Sequence, residues 1–279
     1  MQRAPLSLRG LMRASVRVVA LIVLLGISYL ALARAGIAPD PFAPVTRGDV
    51  ALVESDRRGV RVLFVGNSFT FYNSLPHLVH EIAASDEGAP SIFAVERTRG
   101  GWTLQEASED DGLNQLLDEV HWDVVILQEQ SQMLSFSPTQ WHEESYPYAD
   151  RLRRMIVASG AKPLLFMTWG YDRGDRHNVP NDSFGAMQAR LVSGYTELGD
   201  LLDASVAPVG VAWSEAVRER PDIDLWDDDG RHPSEAGSYL AACVLYAAIT
   251  GRDPTESDFL GGLDPGEARF LQQVALSYG

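Results

Sequence analysis

Five short, almost continuously apolar runs recur along the chain after residue 59, and longer segments with a helical period separate them. A run without polar alternation predicts a strand whose two faces are both covered by helices. The predicted strands cover residues 61–66, 91–96, 123–128, 163–169 and 207–213. The predicted helices cover residues 75–84, 104–120, 138–159, 183–204 and 233–250. This alternation predicts an α/β fold, a three-layer α/β/α sandwich around one five-stranded, mainly parallel sheet.

The N-terminal segment has a different pattern. Four arginines precede an uncharged run of sixteen residues from Val18 to Ala33, which is typical of an export signal. The run is slightly shorter than the roughly 17–25 residues that span a bilayer, and small residues near Ala35 resemble a cleavage site. We therefore expect residues 1–36 to be either a cleaved signal peptide or an N-terminal membrane anchor, a hydrophobic helix.

A proline-containing stretch, residues 37–59, is expected to be a linker, and residues 60–279 are expected to form one domain. Because the arginines stay on the cytoplasmic side, that domain is expected to be extracytoplasmic. It would be secreted or periplasmic if the segment is cleaved, and anchored to the inner membrane if it is not.

Charge is unevenly distributed. Five arginines and no acidic residue precede Asp40, so a formal charge of −15 for the whole chain leaves −20 for the remainder. Such an acidic body repels nucleic-acid phosphates and anionic lipid, which excludes nucleic acid as a partner and confines membrane contact to the N-terminal segment. The single cysteine, Cys243, excludes an internal disulfide framework and is expected to be buried.

Polar residues follow the predicted strands at the positions where open parallel sheets carry their sites. The first strand leads into Gly66-Asn67-Ser68-Phe69-Thr70. A serine between a buried strand and a helix can be held exposed, with its backbone N–H facing the site. The same residues also suit a turn or a helix cap, so this block alone leaves both interpretations open.

A second block, Asp229-Gly230-Arg231-His232, precedes Pro233 and a long apolar helix. At this spacing a carboxylate can hold one imidazole nitrogen and leave the other free to accept a hydroxyl proton. Acidic residues that merely favour a helix N-terminus, or a calcium loop, are the alternatives. The calcium loop is disfavoured, because Leu225 and Ala236 occupy its first and last ligand positions.

Two further segments follow the second and third strands, Arg99–Leu104 with two glycines and Gln128–Ser131 with two amides. Glycine exposes a backbone N–H and an amide adds a donor, as an oxyanion hole requires. The loop Trp169–His177 after the fourth strand is either a substrate wall or a solvated loop. His77 and His80 lack the partners of a zinc site, so neither metal nor organic cofactor is expected.

The four blocks, in this order, resemble the SGNH hydrolase superfamily, the GDSL-like esterases. The first block and the glutamine-containing third block are similar to those of a branch related to sialate O-acetylesterases. The resemblance implies the flavodoxin-like SGNH fold and a triad of Ser68, Asp229 and His232. It also implies an oxyanion hole formed by Ser68, Gly101 and Gln128, with Gln130 as the alternative to Gln128.

The implied function is that of a serine esterase acting on acetyl or other short-chain acyl esters, with an extracytoplasmic glycan or a small molecule as substrate. Asn67, Gln130, Trp169 and Tyr171 are the expected substrate contacts. A general carboxylesterase or lipase, or a catalytically weak carbohydrate-binding domain of the same fold, is the alternative.

Overall fold

The computed structural model describes residues 59–278, so the predicted signal or anchor and the predicted linker up to residue 58 lie outside the described residues. Five strands form one sheet in the order β2-β1-β3-β4-β5, and every neighbouring pair is parallel. The strands are β1 (Val60–Gly66), β2 (Ile92–Thr98), β3 (Val124–Leu127), β4 (Lys162–Phe166) and β5 (Ser205–Ala207). The prediction of an α/β fold with a five-stranded parallel sheet is confirmed.

Helices cover both faces of this sheet. Those in the described residues are α1 (Ser68–Phe71), α2 (Leu75–Ala84), α3 (Leu104–Ser108), α4 (Asp111–Glu119), α5 (Pro138–Glu144), α6 (Tyr146–Ala158), α7 (Phe184–Leu202), α8 (Val209–Glu219), α9 (Glu235–Thr250) and α10 (Pro265–Leu276). Short 3-10 turns occupy Tyr72–Ser74, Met133–Ser135 and Pro254–Glu256. Between residues 59 and 278, no helix has the combined length and apolar character needed to cross a membrane.

The predicted fifth strand over residues 207–213 is wrong. The strand ends at Ala207, and Val209 begins helix α8, because Pro208 offers no N–H to continue the ladder. A Cβ on Gly210 would lie 2.2 Å from the Thr168 carbonyl oxygen, so this turn of helix packs directly on the chain after β4. The apolar residues here are three and four apart, and over so short a run periodicity alone does not distinguish a helix from a strand.

The core lies around β1 and α9. Residues 62–65 of β1 are fully buried, and α9 is buried from Ala236 to Ala247 where it packs against α2, α8 and α10. Cys243 lies in this buried run as expected, and burial raises the pKa of its thiol above the ordinary value. Because α9 begins directly after Ser234, its packing fixes the position of the preceding His232 loop relative to the sheet.

A buried ion pair joins the end of α2 to the end of α9. Asp86 accepts two hydrogen bonds of 2.7 Å from Arg252 and one of 2.5 Å from the Tyr246 hydroxyl. The Asp86 side chain is 3% exposed. The hydrogen bond from Arg252 outweighs the effect of burial and lowers the pKa of Asp86 from 3.8 to about 2.

Asp86→Asn is expected to destabilise the protein at neutral pH by about 2–3 kcal/mol, because a pKa depressed by about two units is worth that much. The contribution is complete above the unfolded pKa of 3.8 and is lost as pH falls toward the folded pKa of about 2. Urea unfolding of the wild type and of Asp86→Asn at pH values between about 2 and 7 measures this contribution to the free energy of unfolding.

The control is Asp222→Asn, which breaks an exposed pair with Arg220 and should change stability little. Equal losses of stability in the two variants would refute this account.

Candidate active site

Ser68 is the first residue of α1, immediately after β1 and at the carboxyl edge of the sheet. Asn67 precedes it as the helix cap, with its side-chain oxygen accepting the Phe69 N–H at 3.1 Å. The Asn67 side-chain amide donates to the Trp102 carbonyl at 2.9 Å, and Asn67 is 2% exposed. Asn67 therefore holds the serine turn in place, and its expected role as a substrate contact does not fit this buried position.

Three side chains converge at this edge in the arrangement of a charge-assisted triad. His232 Nε2 lies 2.9 Å from Ser68 Oγ, and His232 Nδ1 lies 2.5 Å from Asp229 Oδ2. The other Asp229 oxygen accepts the backbone N–H groups of Arg231 at 2.8 Å and His232 at 2.9 Å. The structure thus brings together Ser68, Asp229 and His232, as the resemblance implied.

The Asp229 carboxylate is held in its charged form. Burial by itself would raise its pKa, but the hydrogen bonds from the His232 ring and from the two backbone N–H groups lower the pKa below the ordinary value of 3.8. An ionised carboxylate at Nδ1 keeps the proton on that nitrogen and leaves Nε2 free to accept the serine proton.

Tyr72 contacts the histidine and Asn73 contacts the residue after it, and the sequence predicts neither contact. The Tyr72 ring stacks on the His232 imidazole with 4.2 Å between centroids and 9° between planes. The Asn73 amide donates to the Pro233 carbonyl at 3.0 Å and to Ser238 Oγ at 2.9 Å. Asn73 has a φ of 50°, a left-handed conformation that asparagine tolerates better than most residues. No periodic signal in the sequence marks this contact.

Asn73→Gly is expected to lower kcat/KM roughly tenfold to 100-fold, because glycine keeps the left-handed backbone but loses both hydrogen bonds that position the His232 loop. Asn73→Ala should lose the same activity and also about 1–2 kcal/mol of stability, since alanine is strained at this φ. Kinetics paired with urea unfolding separates the two effects. A glycine variant with wild-type kinetics would show that the Asn73 hydrogen bonds do not position the histidine.

Backbone donors lie beside the serine. The N–H groups of Ser68 and Gly101 have no protein acceptor among residues 59–278. The Gly101 loop is held against the end of β1, because Arg99 N–H donates to the Gly66 carbonyl at 3.2 Å and Asn67 donates to Trp102. Gly101 is exposed with a φ of 72°, where a side chain would be strained. Both N–H groups are thus available to an oxyanion.

The side-chain oxygen of Gln128 accepts the Asn67 N–H and the Thr70 hydroxyl, each at 2.9 Å, and its amide nitrogen donates to the Glu129 carbonyl. Gln128 is fully buried. The expected donor role for Gln128 does not fit this arrangement, which instead braces the serine turn. A Cβ on Gly66 would lie 2.6 Å from the Gln128 oxygen, which explains the glycine at the end of β1.

Gln130, the alternative, is placed differently. Its side-chain oxygen accepts the Gln132 N–H at 3.0 Å, and its amide nitrogen has no protein acceptor in the described part of the chain. Gln130 is half-buried. Within residues 59–278 the Gln130 amide nitrogen is therefore the one of the two that has no protein acceptor, whereas that of Gln128 is used.

Glu129 joins the loops that carry these donors, a role that the sequence analysis did not assign. Its buried carboxylate accepts the Leu104 N–H at 3.0 Å, the Gln130 N–H at 2.6 Å and the Ser145 hydroxyl. Burial raises the pKa of Glu129. The hydrogen bonds that its carboxylate accepts lower the pKa, but they offset only part of that rise. Glu129 ties the segment after Gly101 to the segment that carries Gln130.

Trp169 and Tyr171, both expected to contact the substrate, differ in their surroundings. Trp169 is fully buried, stacked at 4.6 Å on Phe69 and at 4.1 Å on Trp213, and its indole N–H donates to the Arg231 carbonyl at 3.0 Å. Its expected role as a substrate contact does not fit this buried position. Trp169 instead supports the His232 loop through its hydrogen bond to Arg231. Tyr171 is 7% exposed, bonds Ser131 at 2.8 Å through its hydroxyl and lines a cavity beside Asp229.

Residues 59–278 contain no group of three or more histidine, cysteine or acidic side chains arranged to hold a metal ion. His77 lies 3.5 Å from Glu81 on an exposed face of α2, as an ordinary surface pair does.

No family model and no curated protein matches this sequence. Several solved structures, however, do match this chain. A protein from Slackia heliotrinireducens, assigned to the SGNH hydrolases, is 28% identical, with a TM-score of 0.57 over 68% of this chain and 99% of its own. The chain has the SGNH hydrolase fold.

Two more distant structures share that fold. A DUF4886 family protein from Bacteroides uniformis is 20% identical, with a TM-score of 0.63 over 78% of this chain and 94% of its own. An acetyl xylan esterase is 14% identical, with a TM-score of 0.53 over 68% of this chain and 100% of its own. The superfamily resemblance drawn from the four sequence blocks is thus confirmed at the level of the fold.

The site has a hydroxyl, an imidazole and a carboxylate in hydrogen-bonded series, and at the same sheet edge two N–H groups that have no acceptor within residues 59–278. That set can activate a nucleophile and stabilise the oxyanion that forms when it attacks a carbonyl. The chemistry that it suits is acyl transfer to water.

Proposed function

We propose that this protein is a serine esterase that hydrolyses acetyl or other short acyl esters, with Ser68 as nucleophile and His232 as general base. The observation that carries the proposal is the hydrogen-bonded series from Ser68 Oγ through His232 to Asp229. The similarity to solved SGNH hydrolases supports the same reaction type.

In the proposed reaction, His232 Nε2 takes the proton of Ser68 Oγ as that oxygen attacks the ester carbonyl. The Ser68 and Gly101 N–H groups and the Gln130 amide stabilise the oxyanion. His232 then donates the proton to the departing alcohol, and a water molecule activated by the same histidine releases the acid from the acyl-enzyme. Asp229 stays ionised throughout and stabilises the imidazolium.

The proposed natural substrate is an O-acylated carbohydrate outside the cytoplasm. Polar and charged residues line the cavity beside Asp229, which disfavours a long apolar acyl chain there. One structure of the same fold is an acetyl xylan esterase. The extracytoplasmic location rests on the arginine-rich, apolar N-terminal pattern, and fractionation of cells producing the full chain with and without residues 1–36 would test it.

A panel of esters tests the proposed function. The full chain should hydrolyse nitrophenyl acetate and O-acetylated sugars, with activity falling as the acyl chain lengthens. Increasing activity toward long-chain nitrophenyl esters would instead show a general carboxylesterase or lipase. An enzyme inactive on every ester, although folded, would refute the proposal.

Gln130→Ala is expected to lower kcat about 10²–10³-fold with little effect on folding, because it removes one oxyanion donor. Gln128→Ala should instead lower stability, by about 1–3 kcal/mol, since it leaves the buried Asn67 N–H and Thr70 hydroxyl without their acceptor. Turnover and urea unfolding of both variants distinguish the two roles. The assignment is wrong if Gln130→Ala turns over at the wild-type rate.

A further inference from the structure

A cavity of about 380 Å³ lies beside the triad, and its lining includes Asp229 itself. The loop after β4 and the loop that carries the triad acid form its walls, Tyr171–His177 on one side and Asp228–Arg231 on the other. The volume falls at the low end of the roughly 300–1,000 Å³ that small-molecule pockets occupy. Asp229 belongs to both the cavity and the triad, whereas Ser68 lies on the other side of the His232 ring, so a ligand in the cavity would extend from the reacting ester past that ring.

Three charged groups in this lining have unused hydrogen-bonding capacity within the described residues. Arg231 has no acidic group within 4.0 Å and lies with its guanidinium 5.2 Å from the centre of the Tyr171 ring. The Asp172 carboxylate has one ionic neighbour, Arg173, at 3.7 Å. Asp228 uses its backbone N–H but has no partner for its carboxylate. The cavity thus offers acceptors and donors together.

The walls of the cavity are held in place before any ligand arrives. Asp172 N–H donates to the Gly230 carbonyl at 2.9 Å and so joins the two loops. Further along, the buried Asp182 carboxylate accepts the Asp175 N–H at 2.8 Å and two hydrogen bonds from Arg190, at 2.7 and 3.1 Å. Arg190 also donates to the Ser135 carbonyl at 2.9 Å. A wall anchored in this way loses little entropy when it binds.

We propose that this cavity binds an uncharged, polyhydroxylated sugar unit, the alcohol part of the ester, through Asp172, Asp228 and Arg231. Each sugar hydroxyl both donates and accepts, so a lining of carboxylates and a guanidinium satisfies it. An apolar acyl chain would strand these charges without water. An anionic ligand would face the Asp172 and Asp228 carboxylates in a domain that is strongly acidic overall. This inference deepens the proposed function and rests on it.

The test compares two acetyl esters that differ only in their alcohol, a methyl xyloside that carries a single O-acetyl group and keeps its other hydroxyls, and nitrophenyl acetate. Because the acyl group is the same, the ratio of the two kcat/KM values reports recognition of the alcohol. In full-chain Asp172→Ala and Arg231→Ala that ratio should fall about tenfold, mainly through KM for the xyloside. The control Arg151→Ala replaces an exposed arginine on α6 and should keep the wild-type ratio.

A ratio that stays at the wild-type value in both cavity variants would overturn the subsite, even if both esters are hydrolysed more slowly. The subsite would also be overturned if the enzyme preferred an acetylated methyl glucuronoside to the xyloside and lost that preference in Arg231→Ala. Such a result would show that the cavity is an anion site. A binding measurement separates this inference from the proposed function. Calorimetric titration of the Ser68→Ala protein with methyl xyloside should show weaker binding once Arg231→Ala is added, whether or not any ester is cleaved.

Discussion

Ser68→Ala is expected to reduce ester hydrolysis by roughly 10⁴-fold or more, because no other group can form the acyl-enzyme once the hydroxyl is lost. Labelling by a fluorophosphonate should disappear with it. Among residues 59–278, Ser68 Oγ has one hydrogen bond, to His232, so we expect its removal to leave the packing of α1 unchanged. Thermal unfolding should therefore stay close to that of the wild type.

The matched control for this variant is Ser91→Ala, which removes an exposed hydroxyl just before β2. It should keep both activity and labelling. If Ser68→Ala is folded and still takes up the fluorophosphonate at the wild-type rate, another residue is the nucleophile and the assignment of the triad is wrong.

Asp229→Asn is expected to lower kcat by roughly 10⁴-fold while the protein remains folded. An amide at this position can still accept the backbone N–H groups of Arg231 and His232. Its NH₂ group would face Nδ1, however, and would favour the imidazole tautomer with the proton on Nε2, where it cannot accept the serine proton. Loss of activity without loss of structure would distinguish this effect from unfolding.

The pH dependence of this variant follows from the carboxyl pKa. Because hydrogen bonds lower the pKa of Asp229 below 3.8, its carboxylate is ionised at every pH above that value. The loss in Asp229→Asn should therefore be constant over the neutral and weakly acidic range. Asp224→Asn, which changes an exposed carboxylate in the preceding loop, is the control and should behave as the wild type does. A loss that vanishes at neutral pH would contradict the assigned role.

The sequence predicted the sheet because its strands are buried on both faces, and a continuous apolar run signals that burial directly. A short apolar run does not by itself identify a strand, and for this reason the strand predicted over residues 207–213 was wrong. A helix packed on one face of the sheet produces a similar run there. The helices predicted over 104–120 and 138–159 each divide in two, the first at Asp110, which caps α4, and the second at Ser145, which bonds the buried Glu129. The first break is a local helix cap, whereas the second depends on a contact with another segment.

What the sequence by itself determined was chemical type and order: a serine after the first strand, a glycine after the second, amides after the third, and an aspartate and histidine three apart near the end. Only the tertiary structure decided which of these groups meet. It placed His232 against Ser68 across 164 residues and turned the Gln128 amide inward while leaving that of Gln130 free. It also made Trp169 a buried support, stacked Tyr72 on the histidine and bonded Asn73 to Pro233, the residue after the histidine. The physical reason is that a residue's type fixes what it can donate or accept, whereas its partner is set by packing between elements far apart in the chain.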